Sequence, residues 1–515
     1  MSGDGRAVGR YRGRVLVAAL LLTGVPPYRL AAQCPDGSPP PCRAPAPRAA
    51  PTPAPTSVAV LYFDDLSRDT ADEYLADGLT EAIIVRLGRA ERLVVKSPSA
   101  VRRFRGRARD TDPAALGRAL GVAHLVQGSV RRRAGRLLIT VSLARAATGV
   151  QVWGERYDRV ESDLLAVEED IGWQVATAVA GRLLPAESAG LAKRPTRSAP
   201  AYDHYLRGNF LLAQRTAHAA RMAVGEYEAA VRLDSAFAQA WARMAFAAAL
   251  FANWNWDWPG LRRDSVLARG LAAETRARAL DPASGDAWLA RGYLLASTDP
   301  LSGAAKAALE HAVALEPRSA EAWHEYGLLL LDTGADSAAG DALERAVAIE
   351  PTRAIGLAAL AWFEFLQRRD TVALRWADSA LAVDPVFAHG YEHRAQIRAY
   401  LGRLETGRAD AEQAMRLGDR PASRAMLAIV EALAGDAGAA RRHLADLDPV
   451  GDVDQHLWTI TALVVAGQRT QALDALERLS LRHVFQLPTS LRSRDFDPLR
   501  SELRFQRLIE ESRPK

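Results

Sequence analysis

Residues 316–351 read EPRSAEAWHEYGLLLLDTGADSAAGDALERAVAIEP, and this stretch decides the fold of most of the chain. An acidic residue followed by proline opens the stretch, and the same dipeptide recurs at intervals of 35, 34 and 34 residues, ending in Pro282, Pro317, Pro351 and Pro385. A large residue follows each proline by six positions, and a small one comes four later: Trp288, Trp323, Leu357, Tyr391, then Gly292, Gly327, Ala361, Ala395. Such a period predicts stacked helix pairs.

Each part of this period has a physical role. The small residue lets two helices approach closely, the large residue fills the space between turns, and proline stops the second helix. The pattern resembles the tetratricopeptide repeat (TPR), most specifically over residues 285–418, and we expect a solenoid over residues 200–480. The resemblance implies a concave groove that binds an extended peptide or a helix. Residues 481–515 are expected to cap the array.

Residues 57–185 predict a small α+β domain. The buried-strand pattern SVAVLYF at 57–63 is followed by helical spacing to Leu87, and a second strand covers 92–96. A helix opening at Asp112-Pro113 precedes a three-stranded meander, and a last helix covers 164–184. The predicted fold class is an α+β N-terminal domain, with a mixed sheet and helices, followed by an all-α TPR superhelical solenoid.

Four segments in this domain resemble the TolB amino-terminal-like (FlgO-like) family. They are VAVLYFDDLS at 58–67, YLADGLTE at 74–81, LVQGSVR at 125–131 and VWGERYD at 152–158. The resemblance implies a binding or assembly module, often fused to TPR repeats and in other proteins to cyclase or regulator domains. No catalytic residue is implied by it.

The N-terminus has the pattern of an export signal. Four arginines between residues 6 and 14 precede the apolar stretch VLVAALLLTGV at 15–25, which is short for a spanning helix. We expect a signal peptide over residues 1–32 and a periplasmic or cell-envelope protein. The alternative is an uncleaved segment that associates the chain with the inner membrane through residues 15–25.

Two cysteines, Cys34 and Cys42, directly follow this segment. Their position predicts a small disulfide loop in an oxidising compartment, and their spacing does not fit a zinc site. The stretch RAPAPRAAPTPAPT at 43–56 is rich in proline and alanine and predicts an extended tether. Residues 33–56 are thus interpreted as a disulfide loop and linker.

The charge pattern excludes a nucleic-acid partner. Of 66 basic residues 62 are arginine, and residues 1–32 hold five arginines against one aspartate. Without them the net charge falls from +5 to +1, and residues 201–515 carry 37 basic and 41 acidic groups. A slightly acidic array does not offer the basic surface that phosphate binding needs.

Two motifs in the array are candidates for a more specific role. Trp254, Trp256 and Trp258 lie in an interval about 13 residues longer than a repeat; they either bind a partner peptide or sugar, or seal against neighbouring repeats. His389-Gly390-Tyr391-Glu392-His393 matches a zinc-protease pattern, yet the register of the repeat alone explains Tyr391.

Two sets of charged residues in the α+β domain allow two readings each. Asp77 and Glu81 form either a polar site or first-turn acids that complement a helix dipole. Arg102 to Arg109 include five arginines, which either meet acidic lipid headgroups or nucleic acid, or form a solvated loop.

These patterns together predict a non-catalytic protein-interaction scaffold of the cell envelope with protein or peptide partners, no metal and no cofactor. The chain has no phosphate-binding loop, nucleophile elbow or dinucleotide fingerprint. The alternatives are a sensory or regulatory module of a signalling system, and a cryptic zinc hydrolase built on His389, Glu392 and His393.

Overall fold

The computed structural model describes residues 53–67, 72–102, 104–106, 111–254, 256, 258, 260–418, 421–445, 447, 453–479 and 486–511. The predicted signal peptide, the Cys34 and Cys42 pair and nearly all of the linker lie outside these residues. Among the helices of the described ranges, none is both long enough and apolar enough to cross a membrane.

A mixed sheet forms the centre of the N-terminal domain. Its strands are β1 (Ser57–Val60), β2 (Asp64–Asp65), β3 (Val94–Val95), β4 (His124–Arg133), β5 (Arg136–Arg145) and β6 (Gln151–Val160). The order is β3-β1-β4-β5-β6, and β2 also pairs with β4. β1 runs parallel to β3 and β4, whereas β4, β5 and β6 form the predicted antiparallel meander. Ala134 and Gly135 both have positive φ (49° and 73°), as a tight hairpin turn requires.

Helices pack against this sheet. They are α1 (Glu73–Gly88), α2 (Pro98–Arg102), α3 (Pro113–Leu120), α4 (Leu164–Ala180) and α5 (Pro185–Ala192). Helix α4 packs on β5, in which every second residue is buried: Leu137, Ile139, Val141 and Leu143. The predicted start of α3 is present, because the Asp112 carboxylate accepts a hydrogen bond from the Ala115 amide at 3.0 Å.

Sixteen described helices follow as eight consecutive pairs. They are α6 (Ala199–Leu212), α7 (Ala217–Leu233), α8 (Ala238–Asn253), α9 (Arg263–Leu280), α10 (Gly285–Thr298), α11 (Gly303–Leu315), α12 (Ala320–Asp332), α13 (Asp336–Ile349), α14 (Ala354–Leu366), α15 (Asp370–Val383), α16 (Ala388–Tyr400), α17 (Leu404–Leu417), α18 (Pro421–Leu433), α19 (Ala437–Leu444), α20 (Val453–Val465) and α21 (Arg469–Arg478). From α8 onward, the first helix of each pair also contacts the first helix of the next pair, so these helices form the inner side of the array.

The periodic positions lie where two helices meet or where one ends. Pro317 and Pro351 stand in the turns that follow α11 and α13, as Pro282 and Pro385 do after α9 and α15. Gly292 and Gly327 face leucines of the second helix of their own pairs, α11 and α13, at distances that leave no room for a Cβ. The periodic tryptophans have an additional role: the indole N–H donates to the carbonyl oxygen of the preceding proline, at 2.9 Å for Trp288 and 3.0 Å for Trp323.

The N-terminal domain and the first helix pair share one hydrophobic core. The Leu206 side chain packs against Gly78, and Tyr202 and Leu206 belong to the same buried cluster as the residues of α1 and α4. The Tyr202 hydroxyl donates to the buried Glu168 carboxylate at 2.9 Å. Helix α5 lies in the interval between the two predicted domains, and its Leu191 carbonyl accepts a hydrogen bond from Arg86.

The C-terminal segment contains α22 (Leu487–Leu491), a 3-10 helix (Arg494–Leu499) and α23 (Leu503–Glu511). The Phe496 and Phe505 rings stack with centroids 5.8 Å apart, and the elements that carry them pack on α20 and α21. These contacts lie at the end of the array, where the sequence predicts a cap. The same segment also runs back to α12, which the sequence patterns do not predict.

Candidate functional site

The three tryptophans of the long interval lie between α8 and α9 and are half-buried. The rings of Trp256 and Trp258 contact Phe251 of α8, with centroids 5.5 and 4.5 Å away. Trp254 contacts Trp256 at 5.5 Å and reaches His389 of α16 at 6.1 Å. Because α8 and α16 belong to pairs four positions apart, the tryptophans join distant parts of the array.

His389, Glu392 and His393 come together on α16. The Nε2 atoms of the two histidines are 3.0 Å apart, and Nδ1 of His389 lies 3.0 Å from the Glu392 carboxylate. Glu392 is fully buried and accepts a hydrogen bond from the Ser423 hydroxyl at 2.6 Å. Over the described ranges, no group of three or more histidine, cysteine, aspartate or glutamate side chains is arranged to hold a metal.

A charged cluster on the inner side of the array is centred on Glu321 of α12. Its carboxylate lies 2.5 Å from Arg215, 3.2 Å from Arg243 and 3.0 Å from Arg353. Burial alone would raise the pKa of Glu321, but the three guanidinium groups outweigh burial and hold that pKa below its usual range. Three guanidinium groups thus converge on one carboxylate in this part of the inner side.

Two neighbours on α12 are buried and incompletely hydrogen-bonded. His324 and Glu325 are 2% and 5% exposed, and His324 Nδ1 and Glu325 Oε2 have no hydrogen-bond partner. Burial lowers the pKa of His324, and Arg353 and Arg215 lower it further, so the ring is neutral. Burial, followed by the Glu321 charge, raises the pKa of Glu325 to about 8.

Asp77 and Glu81 pair with two of the arginines singled out in the α+β domain, whereas Arg103, Arg107 and Arg109 lie outside the described residues. Arg102 contacts Glu81 at 3.0 Å, and Arg105 contacts Asp77 at 2.9 Å. The Tyr62 hydroxyl donates to the same Glu81 carboxylate at 2.7 Å. Burial raises the pKa of Asp77 to about 7, although the Arg105 charge acts in the opposite direction. Arg102 and Arg105 therefore belong to a network of ion pairs while their side chains remain 49% and 35% exposed.

A side-chain pocket between two aromatic rings and a carboxylate holds Arg494 of the C-terminal segment. Its guanidinium carbon lies 4.2 Å from the centroid of the Phe365 ring and 4.3 Å from that of Tyr400. Both Asp370 carboxylate oxygens accept hydrogen bonds from Arg494, one of them at 3.0 Å. Two aromatic faces and a bidentate carboxylate are the partners that a planar guanidinium uses best.

Neighbouring residues of the segment are bound in the same way. Arg492 contacts the Asp336 carboxylate at 2.8 Å and donates to the Leu331 carbonyl. The Asp495 carboxylate accepts from Gln396 at 2.9 Å and from Tyr400 at 2.6 Å. The segment thus crosses the ends of α12, α14 and α16.

Earlier residues of the segment bind Asp332 of α12. Its carboxylate accepts hydrogen bonds from the Gln486 amide at 2.7 Å and the Thr489 amide at 3.2 Å. The Thr489 hydroxyl donates to the same carboxylate. Inner-side residues such as Gln396, at 1% exposed, are buried by this arrangement. The sequence patterns did not predict these contacts because Arg492 and Arg494 follow no period. The one signal in the sequence is that a single residue separates the two arginines in RSRD at 492–495.

Comparison with known proteins gives a partial picture. No protein-family model matches the chain, so the resemblance of residues 57–185 to the TolB amino-terminal-like family stays a prediction. Putative adenylate cyclase 3 of Rhizobium meliloti (strain 1021) is 32% identical over 224 residues, which is 43% of this chain. The chain spans only 37% of the length of that relative.

Solved structures similar to the chain are repeat proteins. A tetratricopeptide repeat protein from Parabacteroides merdae, at 15% identity and a TM-score of 0.35, covers 52% of this chain and 99% of its own. PilF of Pseudomonas aeruginosa, at 16% identity and a TM-score of 0.34, covers 43% and 96%. These likenesses carry no functional assignment. The fold, a small mixed sheet with helices followed by an array of TPR-like helix pairs, is described by the elements of the chain itself.

Proposed function

We propose that the chain is a non-catalytic scaffold of the cell envelope that binds other proteins through its helical array. The observation that carries this proposal is the segment 486–500, which consists of α22 and the 3-10 helix and is bound by side chains of three successive helix pairs. An array that recognises one such segment has the chemistry to recognise others. The envelope location is supported by the predicted signal peptide at residues 1–32.

Partners are expected on surfaces that the chain leaves exposed. Met222 on α7 and Val386, in the turn before α16, are 49% and 70% exposed apolar side chains of the array. Val85 on α1, at 57%, is a matched position in the α+β domain. Single exposed apolar side chains are common on protein surfaces, so these three serve as accessible positions from which a partner can be captured.

The test is site-specific photo-crosslinking in cells. A photoreactive amino acid replaces Met222, Val386 or Val85 one at a time in the tagged full-length chain, and the crosslinked partners are identified by mass spectrometry. We expect envelope proteins to be captured from Met222 or Val386 and not from Val85. Capture from Val85 alone would assign binding to the α+β domain. Cytoplasmic partners would refute the envelope location.

The second candidate is a sensory or regulatory module of a signalling system. The observation that favours it is the 32% identity to a putative adenylate cyclase over 43% of the chain. Under this alternative the same crosslinking experiment captures a signalling enzyme in place of structural envelope proteins.

The zinc-hydrolase alternative is less well supported. His389 Nδ1 already faces Glu392, and Glu392 is buried against Ser423, so the motif forms an internal hydrogen-bond network. Purified chain and its His389→Ala variant should therefore have the same zinc content. A stoichiometric zinc ion that is lost in the variant would reverse this ranking.

A further inference from the structure

We propose that two copies of the chain associate through β6, the last strand of the sheet, and form one continuous antiparallel sheet across a two-fold axis. Strand β6 covers Gln151–Val160 and pairs only with β5 in the described sheet, so its other side is a sheet edge. Eight of its ten residues are exposed, all but Trp153 and Tyr157. An exposed edge of this length is a template for pairing with another strand.

Alternate residues of β6 turn their backbone N–H and C=O groups toward this edge. Arg133 and Arg136 flank the two-residue turn between β4 and β5 and form a hydrogen-bonded pair. The even-numbered residues of β5 therefore bond β4 and its odd-numbered residues bond β6, as the 2.9 Å bond from the Arg145 N–H to the Val150 carbonyl shows. Because odd-numbered residues of the two strands lie opposite each other, even-numbered residues of β6 face the edge: Gly154, Arg156, Asp158 and Val160.

Exposed side chains of the same chain cover part of this edge. The Arg156 N–H donates to the Glu155 carboxylate at 3.3 Å. The Asp158 carbonyl accepts hydrogen bonds from Arg136 and Arg159, both at 3.2 Å. The side chains of Arg136 and Asp158 are 53% and 60% exposed. Contacts between exposed charged groups contribute little stability, so a strand with regular backbone geometry can replace them.

The order of charges along β6 selects one pairing register. Two antiparallel copies related by a two-fold axis through a residue pair set one residue against its own copy at the centre. Like charges then lie opposite each other, which destabilises the strand pair, if the centre is any of the four charged residues: Glu155, Arg156, Asp158 and Arg159. A centre at Tyr157 places Glu155 opposite Arg159 of the second copy. In the same register Arg156 lies opposite Asp158 of the second copy, so by symmetry every one of these charges meets an opposite one.

The same register also satisfies the backbone. Edge-facing residues oppose edge-facing residues, Arg156 with Asp158 and Gly154 with Val160, and such pairs exchange N–H and C=O hydrogen bonds in both directions. Gly154 leaves space for the Val160 side chain, which is 43% exposed in the single chain. The irregularity in the β5–β6 register lies opposite residues 151–153, outside the stretch 154–160 that pairs.

The partner that fits this edge is a second copy of the chain, because the complement of the β6 charge pattern is the β6 pattern itself. One pair of strands buries a small area, so we expect association that depends on concentration. Self-association through β6 does not use the helical array, on which the proposed scaffold function depends, so the two proposals can fail separately.

The test is sedimentation velocity of the purified full-length chain from about 1 to 100 µM, with charge reversals at positions 155 and 159. Neither Glu155 nor Arg159 forms an ion pair among the described residues, so the reversals leave the ion pairs of the folded chain intact. Glu155→Arg or Arg159→Glu alone sets like charges opposite each other and should raise the dissociation constant of the dimer by about tenfold or more. The double reversal makes the charges opposite again and should restore the wild-type dissociation constant.

A matched control reverses a charge away from the sheet. Arg276→Glu, at an exposed position on α9, should leave the association unchanged. A wild type that stays monomeric at about 100 µM overturns the proposal, since the charges of β6 then only shield the edge. A dimer that either single reversal leaves unchanged overturns it, and so does a double reversal that associates no better than the single ones.

Hydrogen exchange of the wild-type chain locates the contact independently of any variant. Measured by mass spectrometry at both ends of the concentration range, the amides of residues 154–160 should exchange more slowly at the higher concentration. Association without slower exchange in this stretch would place the contact elsewhere and would refute pairing through β6.

Discussion

Replacing Gly292 with alanine should destabilise the chain, whereas the same replacement at Gly225 should stabilise it. A Cβ on Gly292 would lie 2.5 Å from Leu309 Cγ and 3.1 Å from the Leu309 backbone nitrogen. A Cβ on Gly225, inside α7, would meet no atom within 4 Å. Both glycines are helical, so the backbone effect of the added methyl group is the same at the two positions.

The magnitudes follow from two opposing effects. Alanine in a helix interior is favoured over glycine by about 0.5–1 kcal/mol, because glycine loses more backbone freedom on folding. Overpacking by one carbon costs about 1–3 kcal/mol. At Gly292 the close backbone atom prevents relief by side-chain rotation alone, so we expect a net loss of about 1–2 kcal/mol. At Gly225 only the favourable backbone effect of about 0.5–1 kcal/mol remains.

The assay is urea denaturation of the purified full-length variants, followed by far-ultraviolet circular dichroism. The midpoint should move down for Gly292→Ala and up for Gly225→Ala, with unchanged slopes. If both variants were stabilised, the close packing of α10 on α11 would be refuted, and with it the role that the sequence pattern gives to the small residue.

Three further predictions concern α12. Glu321→Gln leaves three inner-side guanidinium groups without their carboxylate and should lower the free energy of unfolding by about 2–4 kcal/mol, measured by the same denaturation; an unchanged midpoint would contradict the cluster. The pKa of Glu325 is raised by burial from 4.5 to about 8, so the folded chain retains a proton that the unfolded chain releases, and stability should fall as pH rises across this window. Glu325→Gln should make that fall shallower. A variant whose stability depends on pH in the same way as that of the wild type would contradict the raised pKa of Glu325. Trp323→Phe removes the indole donor to the Pro317 carbonyl and should lower the free energy of unfolding by about 1 kcal/mol. In the repeat at Tyr391 the tyrosine hydroxyl donates to the Pro385 carbonyl at 3.3 Å. Trp323→Tyr should therefore lower the free energy of unfolding less than Trp323→Phe if its hydroxyl replaces the indole donor.

The helix pairs could be predicted from the sequence because their determinants are local and periodic. Gly327 faces a leucine of the second helix of the same pair, and Pro317 stands in the turn that precedes that pair. The meander of the sheet was predictable for the same reason, since its turns at Ala134-Gly135 and Thr148-Gly149 join strands that are adjacent along the chain.

The contacts between residues far apart in the sequence could not be predicted in this way. Asp332 and Thr489 are separated by 157 positions, and Tyr74 and Asp203 by 129. Nothing in the local pattern around Asp332 distinguishes a solvated helix end from a residue that accepts three hydrogen bonds. Long-range pairs of this kind depend on the curvature of the whole array, and that curvature is the sum of small rotations between pairs.

The return of the C-terminal segment to α12 changes how the array should unfold. In an open repeat protein each unit touches only its neighbours, so units can melt one after another from the ends. Here the C-terminal segment contacts both α12 and α20, and it makes the intervening pairs depend on one another, because opening any of them strains contacts made by Asp332, Asp370 and Asp495. Hydrogen exchange in α12 to α20 should therefore report one cooperative opening. In mechanical terms, the C-terminal segment closes this part of the array and should resist its extension one helix pair at a time.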